Sequence, residues 1–175
     1  MLKLQKKYGL PVILTVTALM LGCIVSGTFV ITKALHFTAA NDLYYYQVDI
    51  TDNSDWKEHE DEIQFVDAVG MVLFVTSTEP ADATFSVYVD EYSPVSISPA
   101  MVPTSATVII EDFVIPSGQS VITYSESVKA IQNLDTLKTL VKSGKFDFYG
   151  TSSGTVGNTI TVDSGKVVVT FSAGT

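Results

Sequence analysis

Few residues in this chain have the type and spacing that chemistry requires. Gly150-Thr151-Ser152-Ser153-Gly154 fits the G-x-S-x-G pattern of a hydrolase nucleophile elbow. That chemistry needs a strand–turn–helix setting and a histidine base later in the chain, because a serine hydroxyl is a weak nucleophile until a base takes its proton. Both histidines, His36 and His59, precede the motif, and a Gly/Ser loop leading to strands follows it, so no catalytic serine is expected. The acidic run Asp52, Asp55, Glu58, Glu60, Asp61 and Glu62, with His59, offers oxygen and imidazole ligands. A calcium loop spaces its oxygens and places a glycine at the sharp turn; this run does neither and reads as a solvated acidic loop. Zinc would need carboxylates or a second chain, since the histidines are far apart and there is one cysteine. No carboxylate spacing singles out an acid/base pair. The expectation is a non-enzyme with no catalytic, cofactor-binding or metal-binding residues.

Charge narrows the field further. Lys3, Lys6, Lys7 and Lys33 flank an uncharged block, and all 19 carboxylates follow Lys33, with only six lysines among them, for a net charge of −13 in that segment. Such a surface repels nucleic acid, whose binding depends on cations that neutralise phosphate. Arginine is absent, so bidentate clamps on phosphate or carboxylate are unavailable.

These residues must be held by a one-domain length of chain once the block is set aside. From Tyr8 to Thr32 there are 25 uncharged residues, and a helix of about 20 crosses the hydrocarbon of a bilayer. The run exceeds the apolar region of a cleavable secretory signal, roughly 7–15 residues, which favours an uncleaved single-pass anchor contacting lipid through residues 8–32. Lysines before the span keep that end in the cytoplasm and put the rest of the chain outside the cell membrane. The division is then 1–41 for a basic tip and transmembrane helix, and 42–175 for an extracytoplasmic domain. Gly22 and Ser26 form a small-xxx-small pair of the kind that seats a second helix. Two processing routes compete with the uncleaved anchor. Met20-Leu21-Gly22-Cys23 is like a lipobox, which would acylate Cys23, although Ile24 to Ile31 stay apolar where lipoproteins turn polar. Lys6-Lys7-Tyr8-Gly9 before Leu10 is like a prepilin signal cut after Gly9, without the glutamate of bacterial pilins. With Cys23 inside the block, the remaining domain has no disulfide and must be stabilised by its core alone.

That domain reads as β. Leu43–Ile50 carries three tyrosines fit either for an aromatic belt at the headgroups or for core packing. Thr51–Glu62 reads as a loop or short surface helix. Strands are expected over Ile63–Thr76, Ala83–Asp90, Ala106–Ile115 and Gln119–Tyr124, separated by Thr78-Glu79-Pro80, Tyr92-Ser93-Pro94 and Pro116-Ser117-Gly118. Val128, Ile131, Leu134, Leu137 and Val141 make one apolar helical stripe, closed by Gly144. Lys145–Tyr149, Asn158–Asp163 and Lys166–Ser172 complete the pattern, the last two joined by a Ser164-Gly165 hairpin turn. The fold class is mainly β: an immunoglobulin- or fibronectin-like antiparallel sandwich with one covering helix.

The order Val75-Thr76-Ser77-Thr78-Glu79-Pro80, Val87-Tyr88-Val89, Phe113-Val114-Ile115-Pro116-Ser117-Gly118 and Leu137 to Gly144 resembles the late-embryogenesis-abundant group 2 (water-stress/hypersensitive-response) domain over about half the chain. The family's Asn-Pro-Asn is replaced here by Thr78-Glu79-Pro80. The resemblance implies a fibronectin-like sandwich tethered by one membrane helix that binds or protects without catalysis, and it carries over no site residue. The expected function is a membrane-anchored binding, scaffold or accessory module with protein partners in a membrane complex. Its alternatives are a pilin-like filament subunit and a Cys23 lipoprotein.

Overall fold

The computed structural model describes residues Gly27–Ala40, 43–94, 100–153 and 159–173. Eight strands appear among them: β1 (Gly27–Ala40), β2 (Leu43–Asp49), β3 (Ile63–Ser77), β4 (Ala83–Glu91), β5 (Thr107–Ile115), β6 (Gly118–Ile122), β7 (Lys145–Ser152) and β8 (Thr159–Ala173). Three short helices join them: α1 (Ser54–His59), α2 (Tyr124–Ala130) and α3 (Leu134–Lys142), with one 3-10 turn at Glu60–Glu62. The strands form two four-stranded sheets, β1-β8-β3-β6 and β2-β7-β4-β5, and every pairing is antiparallel. The mainly β, two-sheet sandwich expected from alternation and turn spacing is present.

Its connectivity is not the expected immunoglobulin- or fibronectin-like one. Strand pairs 4–5, 3–6, 2–7 and 1–8 nest around the β4–β5 connection, as if one long hairpin were rolled over itself, which is the arrangement of a double-sheet jelly roll. Alternation reports which face of a strand is buried, but not which strand lies beside it, and both sandwiches satisfy the same pattern.

Three further expectations need correction. Residues 27–40, read as the end of a membrane helix and its exit, form strand β1, which pairs with β8 over nearly its whole length. The Thr, Val and Ile residues there are strand formers as much as membrane residues. The rest of the uncharged run, 8–26, lies outside the described residues, as do Cys23 and the Lys6–Gly9 motif; among the described residues no helix is long and apolar enough to cross a membrane. Next, the supposed hairpin at Ser164-Gly165 is absent. β8 runs straight through it as one strand of 15 residues, and both neighbours skip register there, Leu35/Phe37 on β1 and Phe74/Val75 on β3, the signature of a β-bulge. Finally, the stripe from Val128 to Val141 belongs to two helices. Asn133 takes a left-handed conformation (φ 48°, ψ 41°) between them, which ends the first helical path and starts another.

The core lies between the sheets, with Ile31, Val69, Val87, Val89, Val141 and Phe171 among its buried members. β6 is short and pairs with β3 only from Leu73 to Ser77, so the Met71 N–H would face nothing. Ser127 on α2 accepts it at 2.8 Å, while the chain after α2 reaches the other sheet: Gln132 N–H donates to Ile109 O at 2.7 Å and Asn133 Nδ2 to Val108 O at 2.8 Å. The helices thus bridge β3 and β5 and close one side of the sandwich. At one end, α1 is capped by the Asn53 side chain and inserts Trp56, whose ring meets Phe171 edge-on at 5.6 Å.

Candidate functional site

The described residues of the G-x-S-x-G motif are engaged in the sheet. Gly150 to Ser152 end strand β7, and Ser153 Oγ accepts from the Thr84 backbone N–H (3.0 Å) and hydroxyl (2.8 Å) across the sheet. His36 Nδ1 meets the Asp163 carbonyl at 2.8 Å, and His59 Nδ1 meets Glu62 at 3.3 Å. Gly154 lies outside the described residues.

The acidic run is built into structure. Asp52 pairs with Lys33 at 3.1 Å, and Glu60 accepts the Trp56 indole N–H at 3.0 Å. Among the described residues, no group of three or more His, Cys, Asp or Glu side chains is placed to hold a metal ion. Of the tyrosines read as a belt or as core, Tyr44 and Tyr46 pack against the core, and Tyr45 turns to the opposite face, its ring 5.2 Å from that of Tyr149.

That opposite face, the outer surface of the β2-β7-β4-β5 sheet, holds the polar cluster that the motifs missed. In β7, Phe146 and Phe148 point to the core, so Lys145, Asp147 and Tyr149 point outward. Register sets Gln47 of β2 and Asp90 of β4 on either side of Asp147, making one row across three strands. The chain leaving β4 folds over this row: Ser93 N–H donates to Asp147 Oδ2 at 3.1 Å, and Gln47 Nε2 donates to Ser93 O at 2.7 Å. Where that connection returns, the Ser105 hydroxyl donates to Asp90 Oδ2 at 2.6 Å. Asp147 is left only 1% exposed. Its Oδ1 has no hydrogen-bond partner, one of two such buried side-chain oxygens among the described residues, with Ser120 Oγ.

The tyrosines sense this buried carboxylate. Burial, then the charge of Asp147 and a hydrogen bond to it, push the Tyr45 hydroxyl up to about 12, while Asp147 Oδ1 has no hydrogen bond of ordinary geometry. Tyr149 is raised by burial first, then by the charges of Asp147 and Asp90, so both carboxylates bear on one ring. One row away, Lys145 donates to Asp49 at 2.7 Å, and this bond, with those from Thr51, holds Asp49 down to about 2. Lys145 also lies 5.7 Å from the centre of the Tyr92 ring.

The sequence did carry half of this signal, since Lys145-Phe146-Asp147-Phe148-Tyr149 alternates and places Asp147 outward. The cover that buries it comes from another part of the chain.

No family model matches the chain, and no curated protein matches it. Among solved structures, one of Desmodium yellow mottle tymovirus aligns at 12% identity over 85% of this chain and 90% of that chain, with a TM-score of 0.33. Another, of infectious bursal disease virus Gx strain, aligns at 11% identity over 85% of this chain and 39% of the other, with a TM-score of 0.30. Likenesses at that level carry no argument about what this protein does.

Proposed function

We propose that this protein is a non-catalytic binding, scaffold or accessory module whose acidic sandwich is held outside the cell membrane by the uncharged segment that precedes β1. The observation that carries the reading is the length of the uncharged run ahead of the described fold. The described part of β1 begins at Gly27, and 19 uncharged residues, Tyr8 to Ser26, precede it in the sequence, within the roughly 17–25 that a spanning helix uses. Lys3, Lys6 and Lys7 stand on the cytoplasmic side of it. In this reading, the resemblance to late-embryogenesis-abundant group 2 domains contributes only the idea of a tethered module that does not catalyse. A pilin-like subunit cut after Gly9 keeps the same sandwich and leaves Leu10–Ser26 as an assembly helix. An acylated Cys23 would instead leave only three residues between the lipid and β1.

Protease treatment of intact cells tests the reading. The sandwich is expected in the membrane fraction after alkaline washing and to be degraded from outside. Recovery in the soluble cytoplasmic fraction, protected until lysis, would overturn it.

A further inference from the structure

Asp90 and Asp147 stand directly opposite each other on β4 and β7. Side chains so placed share one face with Cβ atoms about 4.5–5.5 Å apart, and like charges there oppose pairing. Among the described residues, no basic side chain forms an ion pair with either. Lys145 gives its ammonium to Asp49, and the chain contains no arginine.

Accounting for the four carboxylate oxygens shows what is missing. Asp90 Oδ1 accepts from Glu91 N–H at 2.9 Å, Asp90 Oδ2 from the Ser105 hydroxyl at 2.6 Å, and Asp147 Oδ2 from Ser93 N–H at 3.1 Å. Asp147 Oδ1 has no hydrogen bond of ordinary geometry, the Tyr45 hydroxyl being the polar group beside the carboxylate, although its residue is 99% buried. A buried, charged oxygen without a partner costs more than almost any other polar defect.

We propose that Asp147 and Asp90 form a binding site for a hard divalent cation of the calcium–magnesium class, which takes Asp147 Oδ1 as its first ligand and neutralises the pair. The donors are all oxygen, the chemistry such ions select. Two carboxylates with water completing the shell suit weak binding, about 10⁻⁴–10⁻³ M, as in extracellular modules. The ion would also tie down the β4–β5 connection at both stems, since Ser93 leaves over Asp147 and Ser105 returns onto Asp90. The inference does not depend on where the protein resides.

The test uses the full chain in detergent, stripped with a chelator and melted in calcium, in magnesium, or in sodium chloride of equal ionic strength. At about ten times Kd, binding to the folded state alone is expected to raise Tm by roughly 3–6 °C, with the larger shift naming the preferred ion and sodium giving none. Asp147→Asn and Asp90→Asn should each abolish the shift, and Asp135→Asn, at an exposed position of α3, should keep it. Terbium gives a second readout: emission sensitised by Tyr45 and Tyr149, displaced by calcium and lost in Asp90→Asn, which stays informative if Asp147→Asn fails to fold. A wild-type Tm that responds equally to sodium, or to no salt, with no sensitised terbium emission, overturns the proposal. So does a Tm that rises on acidification and with neither divalent ion.

Discussion

Single side chains here act mostly through the partners the fold brings to them. Asp49 is the clearest case for pH. Its folded value of about 2 lies below its ordinary 3.8, chiefly through the Lys145 hydrogen bond, so the native state gains from its ionised form. That gain is present above about pH 4 and disappears as pH falls toward 2. Asp49→Asn should flatten the acid limb of a pH–Tm curve in that window and leave the neutral and alkaline limbs unchanged. Ser127 makes a different prediction. It is 1% exposed and its hydroxyl is the acceptor for Met71 N–H, so Ser127→Ala orphans a buried backbone donor and should cost about 1–3 kcal/mol in denaturant unfolding. Neither role was legible in sequence. Asp49 is separated from Lys145 by 96 positions, and Ser127 from Met71 by 56.

The elements were read well where the signal was local and poorly where a neighbour decides. β3, β4, β5 and β7 fall close to their expected positions because each alternates between flanking turn residues. Ser164-Gly165 has the composition of a turn, yet β8 continues because β1 and β3 flank it on both sides and absorb the extra residue as a bulge. Gly165 is needed there for closeness, since a Cβ would run into Leu73. Gly70 serves the same purpose on β3, where a Cβ would strike the Tyr124 ring and Val128 of α2. Gly70→Ala should therefore push α2 off the sheet, exposing the β3 edge near Met71 to faster amide exchange, while exchange in β2 and β7 stays slow. At the end of the sandwich, Phe171 is fully buried against Trp56; Phe171→Ala should cost about 3–5 kcal/mol and change the fluorescence of the only tryptophan.

For the whole molecule, composition and periodicity were enough for an acidic, mainly β sandwich without disulfides, but its rolled-up pairing was not legible. Pairing β1 with β8 closes a loop of well over a hundred residues, and nothing local in either strand announces that partner. The same limit explains β1 itself: a β-branched apolar run reads as lipid-facing or as strand until the partner strand is known. In the proposed function, the segment that precedes β1 sets where the sandwich is displayed. The most direct measurement is the intact mass and N-terminal sequence of the protein extracted from membranes of its native host. An uncleaved anchor predicts an unmodified chain that begins at or next to Met1. A chain that begins at Leu10, or at a lipid-bearing Cys23, would contradict it and make the sandwich the head of a filament subunit or of a lipoprotein.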